Sequence, residues 1–308
     1  MRGRRVLITG ASGFIGGALA RAMLERGARV SCPVRAGSER GDQLEREGAR
    51  VERLGRIDAQ TLRAFDDDPP EVVVHLAASG VRVDERATRD LMEGHARLTV
   101  DVVEAAARWG VERVVHAGSW SELAPPVDGE ALTHASPIGP TSRYGVAKAS
   151  ATMWARQLAA ERGVELVVAR LFNVFGEGEA PGRLFAELIG GARSGQTPSL
   201  TSGRVVRDFV YVEDAAEALA EMAARGRGVG ESDTLLVCSG VGVSVREVVE
   251  EVARQAEAPW LLEGLGARPD RADEPPRIVG DPGHTREVLG WGARVDVREA
   301  VRRMLARG

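Results

Sequence analysis

Lysine is almost absent from this chain: of 41 basic residues all but Lys148 are arginine. Asn173 is the sole asparagine, and Tyr144 and Tyr211 are the only tyrosines. A strong bias in the coding DNA would leave such a composition. A residue type removed nearly everywhere is expected to survive where its substitutes cannot do the same work. That singles out Tyr144, Lys148, Asn173 and Tyr211 before any motif is considered. Cysteine is scarce too. Cys32 and Cys238 lie far apart and fit no metal or redox spacing, so both are expected to be reduced and structural, with no metal site. No apolar run is long enough to span a bilayer. The basic start, Met1 to Arg5, leads into a run broken at Thr9 and Gly10, which reads as a strand and not a leader. A net charge of -4 gives no reason to expect nucleic acid or a membrane as partner. What remains is an ordinary globular composition, 44% hydrophobic and 28% charged over 308 residues, expected in the cytoplasm. Its length suits one main domain and a smaller second one.

What is present is organised around Val6-Leu7-Ile8-Thr9-Gly10-Ala11-Ser12-Gly13-Phe14-Ile15-Gly16. An apolar run ends at Gly10, and a helical pattern (Ala18, Leu19, Ala22, Met23) begins directly after the glycines. A strand, a tight turn and a helix N-terminus present free backbone N–H groups and a positive dipole end, which suit a pyrophosphate. Gly10 lets the chain turn, Gly13 admits the phosphates, and Gly16 lets helix and strand pack closely. The spacing GxxGxxG is one residue wider than the usual dinucleotide fingerprint, so alone it also fits a turn that binds nothing.

Further strands are expected at 28–34, 49–54, 71–76, 111–117 and 163–171, with long helices at 90–109 and 144–162. This alternation implies α/β architecture: a doubly wound parallel (Rossmann) sheet with its ligand at the carboxyl ends of the strands. After Leu171 the rhythm loosens. Helices are expected at 214–225, 244–258 and 297–307, a short strand at 234–237, and a loop at 268–276. The expected division is a dinucleotide-binding domain of residues 1–171 plus about 206–238, and a smaller C-terminal α/β substrate domain of about 172–205 plus 239–308.

Two constellations carry chemistry. At the end of the second strand, where an acidic residue would bind the ribose hydroxyls of NAD, the chain has Val34 and Arg35. A guanidinium there can grip a 2′-phosphate, with Ser38 and Arg40 in reach, so NADP(H) is favoured and NAD(H) stays possible; an ordinary surface arginine is the alternative. Tyr144 and Lys148 stand four apart on a helix and share a face. An ammonium beside a phenol stabilises the phenolate and brings it into the acid–base range. Ser119 is placed to bond a substrate carbonyl oxygen, and Lys148 can also reach nicotinamide ribose hydroxyls.

These segments resemble the extended short-chain dehydrogenase/reductases, of the NAD(P)-dependent sugar-nucleotide epimerase/dehydratase group, over nearly the whole chain. The resemblance rests on the glycine turn, His75-Leu76-Ala77-Ala78, Ser119, the Tyr144–Lys148 pair, Arg170-Leu171-Phe172-Asn173-Val174-Phe175-Gly176 and Arg207-Asp208-Phe209-Val210-Tyr211-Val212-Glu213-Asp214. It implies that Ser12, Phe14, Ile15, Ile57, Leu76, Ala77 and Ala78 join the three glycines, Arg35, Tyr144 and Lys148 along the cofactor. It further implies that Ser119, Trp120, Ser121, Asn173, Arg207 and Arg268 or Arg271 face a nucleotide-sugar substrate, and that the long helices pair two copies as a homodimer. Departures are informative. Arg56 stands where an adenine-contacting aspartate is usual. His95 replaces an asparagine of the long helix and is expected to be structural. Trp120-Ser121 replace the Asp-Glu pair of sugar dehydratases, with Glu122 one position late, which argues against dehydration. The expected activity is an NADPH-dependent ketoreductase of an NDP-4-keto-6-deoxyhexose. The alternatives are an NAD-dependent epimerase and a non-catalytic nucleotide sensor.

Overall fold

The computed structural model describes residues 1–78, 87–127, 129–225, 234–271 and 274–306. Strand β1 (Arg5–Thr9) has four buried residues in a row and stops at Gly10, whose φ of +77° turns the chain toward α1 (Phe14–Glu25). There follow β2 (Arg29–Arg35), α2 (Glu39–Arg46), β3 (Arg50–Leu54) and β4 (Val72–His75). The long helical stretch then runs through α3 (Thr88–Leu91), a π-helical turn at Met92–Arg97 and α4 (Leu98–Trp109). Strand β5 (Arg113–Ser119), helix α5 (Arg143–Arg162) and strand β6 (Glu165–Leu171) come next. With β9 (Thr234–Val237) they form a seven-stranded sheet in the order β3–β2–β1–β4–β5–β6–β9, with every pairing parallel. The winding reverses between β1 and β4, which opens a crevice at the carboxyl ends of those strands.

Alternation along the strands sorts the core into two layers. Val6, Ile8, Val72, Val74 and Val115 face one side, packed with Leu19 and Met23 of α1 and Leu219 and Met222 of α7 (Val212–Ala224). Leu7, Val73 and Val114 face the other, against Val102 and Ala106 of α4 and Ala155 and Leu158 of α5. Helices on both faces explain why β4 and β5 are buried throughout.

The looser half is built on a four-stranded sheet: β7 (Asn173–Phe175), β8 (Val206–Tyr211), β10 (Gly242–Ser244) and β11 (Arg277–Ile278). Helices α6 (Leu184–Ser194), α8 (Val245–Gln255), α9 (Gly283–Leu289) and α10 (Val297–Ala306) belong to this half. The stretch expected at about 206–238 is shared between the sheets: β8 lies in the small one, while β9 lies in the large one. Asp208 is the rivet. Its buried carboxylate accepts Ser239 N–H and Oγ–H (both 2.7 Å), Gly240 N–H (2.9 Å) and Gly280 N–H (3.2 Å), joining β8 to the chain after β9 and after β11. Helices α6 and α9 were not foreseen, and the last helix is described to Ala306, with Arg307 outside the described residues.

Both cysteines are buried free thiols, and burial pushes Cys32 up to about 12, so neither is a ready nucleophile. Among the described residues no helix is long and apolar enough to cross a membrane, and no group of three or more His, Cys, Asp or Glu could hold a metal ion.

Candidate active site

The crevice is a cavity of about 1110 Å³ running from the end of β2, past the glycine turn, to the ends of β5 and β6 and the small sheet. Gly10, Ser12, Gly13, Phe14, Ile15 and Gly16 form its floor, and Leu76, Ala77 and Ala78 close over them. Side chains would not fit at two of its glycines. A Cβ on Gly16 would lie 2.1 Å from the Gly10 carbonyl oxygen, and one on Gly10 would lie 2.7 Å from Ala77 N. The roof is tied down from beneath: Thr9 Oγ1 accepts Ala77 N–H (3.2 Å) and pairs with His75 Nδ1 (2.7 Å), while His75 Nε2 meets Thr99 Oγ1 of α4 (3.1 Å). Burial, with the Lys148 charge nearby, pushes His75 down to about 3, so it is a neutral strut. A glycine-rich turn at a helix N-terminus suits the pyrophosphate of a dinucleotide.

At the β2 end the wall is Pro33, Val34, Arg35, Gly55, Arg56 and Ile57, with no carboxylate among them. Arg35 is exposed there; Arg56 is paired with Asp58 at 2.7 Å. Ser38 and Arg40 are occupied elsewhere. Ser38 Oγ caps α2 by accepting Gly41 N–H, and Arg40 donates to the Gly178 carbonyl across the cleft.

At the other end stand Ser119, Trp120, Ser121 and Tyr144. Gly145 brings them together: a Cβ there would lie 2.2 Å from the Ser121 carbonyl oxygen, so α5 starts in backbone contact with the turn after β5. Ser142 caps that start, its Oγ accepting Gly145 N–H at 3.0 Å. Ser121 N–H (3.2 Å) and Oγ–H (2.9 Å) both point at Ser119 Oγ, leaving the Ser119 hydroxyl proton to be donated elsewhere. Lys148, one turn along α5, does not line the cavity. It is buried beneath, with Nζ donating to the Ala117 carbonyl at 2.9 Å. Burial lowers Lys148 to about 8, against an opposing pull from Glu122. His95, buried in the π-helical turn, sets its ring edge-on to Tyr144 with centroids 5.5 Å apart.

The small sheet supplies the far wall. Asn173 lines the cavity, and its Nδ2 donates to the Asp208 carbonyl at 3.1 Å. Arg207 also lines it, held by the carbonyls of Val206 (2.8 Å) and Pro275 (3.0 Å) and by Glu274 (2.6 Å). Of the two candidate arginines on the following loop, Arg271 reaches the cavity and Arg268 does not. Arg268 is exposed, and its backbone N–H is spent on the Leu200 carbonyl at the outer edge. Tyr211, singled out by its rarity, is a core residue whose hydroxyl donates to Glu177 at 2.5 Å. Sequence reasoning missed Leu132, Glu179, Arg183 and Glu274, all on the wall. Burial pushes the Glu179 carboxyl up, offset in part by Arg183 at 3.2 Å.

A match to the family described as "NAD dependent epimerase/dehydratase family" extends over residues 6–238. The chain belongs to that family. It is an NAD(P)-dependent enzyme, and the cradle described above fits the dinucleotide. The chain is 28% identical to a UDP-glucose 4-epimerase of Streptomyces lividans, over 95% of this chain and 93% of that one. It is 27% identical to a GDP-6-deoxy-D-mannose reductase of Pseudomonas aeruginosa, over 61% of each. The structure of a Thermus thermophilus UDP-glucose 4-epimerase in complex with NAD superposes with a TM-score of 0.87 at 27% identity, covering 99% of both chains.

Proposed function

We propose that this family member reduces a nucleotide-linked keto sugar with NADPH, the substrate being an NDP-4-keto-6-deoxyhexose. The observation that carries the reading is Arg35 on the cavity wall at the end of β2, where a carboxylate would select NAD. A guanidinium offers a bidentate grip on a 2′-phosphate. NADPH is the cofactor of reductions that consume it, and a reduced nicotinamide supplies hydride when bound. The chain's own part is acid chemistry and positioning. Tyr144 gives its phenolic proton to the oxygen that becomes an alkoxide, Ser119 donates to the same oxygen, and Lys148 steadies the phenolate from below. Asn173, Arg207 and Arg271 form a polar and cationic wall suited to a diphosphate. Dehydration lacks its acid: Trp120 and Ser121 face the cavity, whereas Glu122 is fully buried and bound to Arg170. Purified protein with NADPH and an NDP-4-keto-6-deoxyhexose is expected to lose absorbance at the reduced-nicotinamide band in proportion to sugar reduced.

A second reading has its own support, since the S. lividans relative is named a UDP-glucose 4-epimerase and spans 95% of this chain. An epimerase would purify with NAD retained and turn over a nucleotide sugar with no net change in absorbance. That outcome replaces the first reading.

The same proposal includes a homodimer. Met92 beside α3, and Val146, Met153 and Trp154 on α5, are large apolar side chains left open, Met153 at 64% exposure. Sedimentation is expected to show a dimer in the native protein and a monomer in Met153→Glu; a native monomer removes this part of the reading.

A further inference from the structure

We propose that Glu122 is a positioning residue for the catalytic group: a buried carboxylate that fixes the Ser119 backbone, sets the seat of α5 and steadies the Lys148 ammonium. The inference rests on the reading of Ser119, Tyr144 and Lys148 given above.

Glu122 ends the short 3-10 turn Trp120–Glu122 and is fully buried, outside the cavity. One oxygen accepts Ser119 N–H (2.8 Å) and Thr152 Oγ1–H (3.1 Å); the other accepts Arg170 Nε–H (3.2 Å). Those partners lie on β5, α5 and β6. Thr152 and Lys148 are one helical turn apart on the same face, so the bond to Thr152 sets the height and rotation at which α5 presents its lysine. Gly118 makes room for the arrangement, since a Cβ there would lie 2.6 Å from Glu122 Oε1. A buried ion pair is weak evidence for stability, because the desolvation of both charges offsets their attraction. Its bonds to Ser119 N–H and to Thr152, one turn from Lys148, give it a second use.

The charges around the lysine sharpen the point. His75 on β4 and His116 on β5 feel the Lys148 charge, Tyr144 is one turn away on the lysine's own helix with His95 of the π-helical turn edge-on to it, and Arg156 and Arg170 act on Glu122. Burial lowers the Lys148 ammonium to about 8, and the Glu122 carboxylate opposes that shift. Lys148 is therefore charged below about pH 8 and loses its proton above it. Taking away the carboxylate moves that loss to lower pH.

Because the chain has one lysine, protein labelled with 15N at lysine Nζ gives a single side-chain signal, and its midpoint is read without cofactor or substrate. The expected midpoint is near 8 in the native protein and about one unit lower in Glu122→Gln. In turnover assays the alkaline fall of kcat moves down by the same amount, while KM changes less than about threefold. The single variant leaves Arg170 without its carboxylate, so Glu122→Gln/Arg170→Gln is measured beside it and is expected to show the same lowered midpoint. An unchanged Lys148 midpoint in the folded variants overturns the proposal. A shifted midpoint in a protein that turns over no nucleotide sugar would instead uphold the hold of Glu122 on the lysine and remove the catalytic reading.

Discussion

Tyr144→Phe is expected to lower kcat/KM by about 1000-fold while leaving cofactor affinity within about threefold. The substitution removes one oxygen from a half-buried ring on the cavity wall, so packing is kept and the proposed proton donor is lost. General acid catalysis by a positioned side chain is worth about 100- to 10,000-fold. Ser119 remains to polarise the carbonyl, which accounts for the residual rate. The measurement is initial velocity against substrate for both proteins, with cofactor binding followed separately by fluorescence. A variant that keeps more than about a tenth of the native rate would show that Tyr144 is not the acid.

The second large effect concerns the cofactor. Arg35→Asp is expected to lower the ratio of kcat/KM for NADPH over NADH by at least about 100-fold. A hydrogen bond to a charged group is worth about 1.5–3 kcal/mol, or roughly 10- to 100-fold, and the introduced carboxylate adds repulsion of the 2′-phosphate. It would also gain bonds to the free ribose hydroxyls of NADH. Arg35 stands at the open end of the cavity with no carboxylate on that wall, so its replacement disturbs no core packing. Equal ratios in native and variant proteins would assign Arg35 to the solvent and remove the ground for preferring NADPH.

The large sheet was legible because strands buried on both faces are written as continuous apolar runs, as in Val72–His75, and because glycine stops are explicit at Gly110 and Gly163. The glycine turn was legible for the same local reason. Rarity proved a mixed guide. It pointed to Tyr144 and Asn173 on the cavity wall, but Tyr211 is core and Lys148 lies under the wall. What stayed hidden depends on contacts distant in sequence. Leu132 reaches the cavity because its backbone pairs with Val279 and Asp281, nearly half the chain away. Arg268 and Arg271 are alike in sequence, and only the path of the loop separates them. Glu122 was noticed as misplaced for dehydration; that it points inward, to Arg170 of β6, needed the structure.

The burial of the single lysine also governs how the protein meets amine-directed chemistry. Reagents that acylate primary amines find no exposed lysine among the described residues, since arginine does not react and Lys148 is buried against β5. An acyl group on Lys148 therefore records an opening of α5 away from the sheet, which turns an ordinary peptide-mass measurement into a clock for how often that layer breathes.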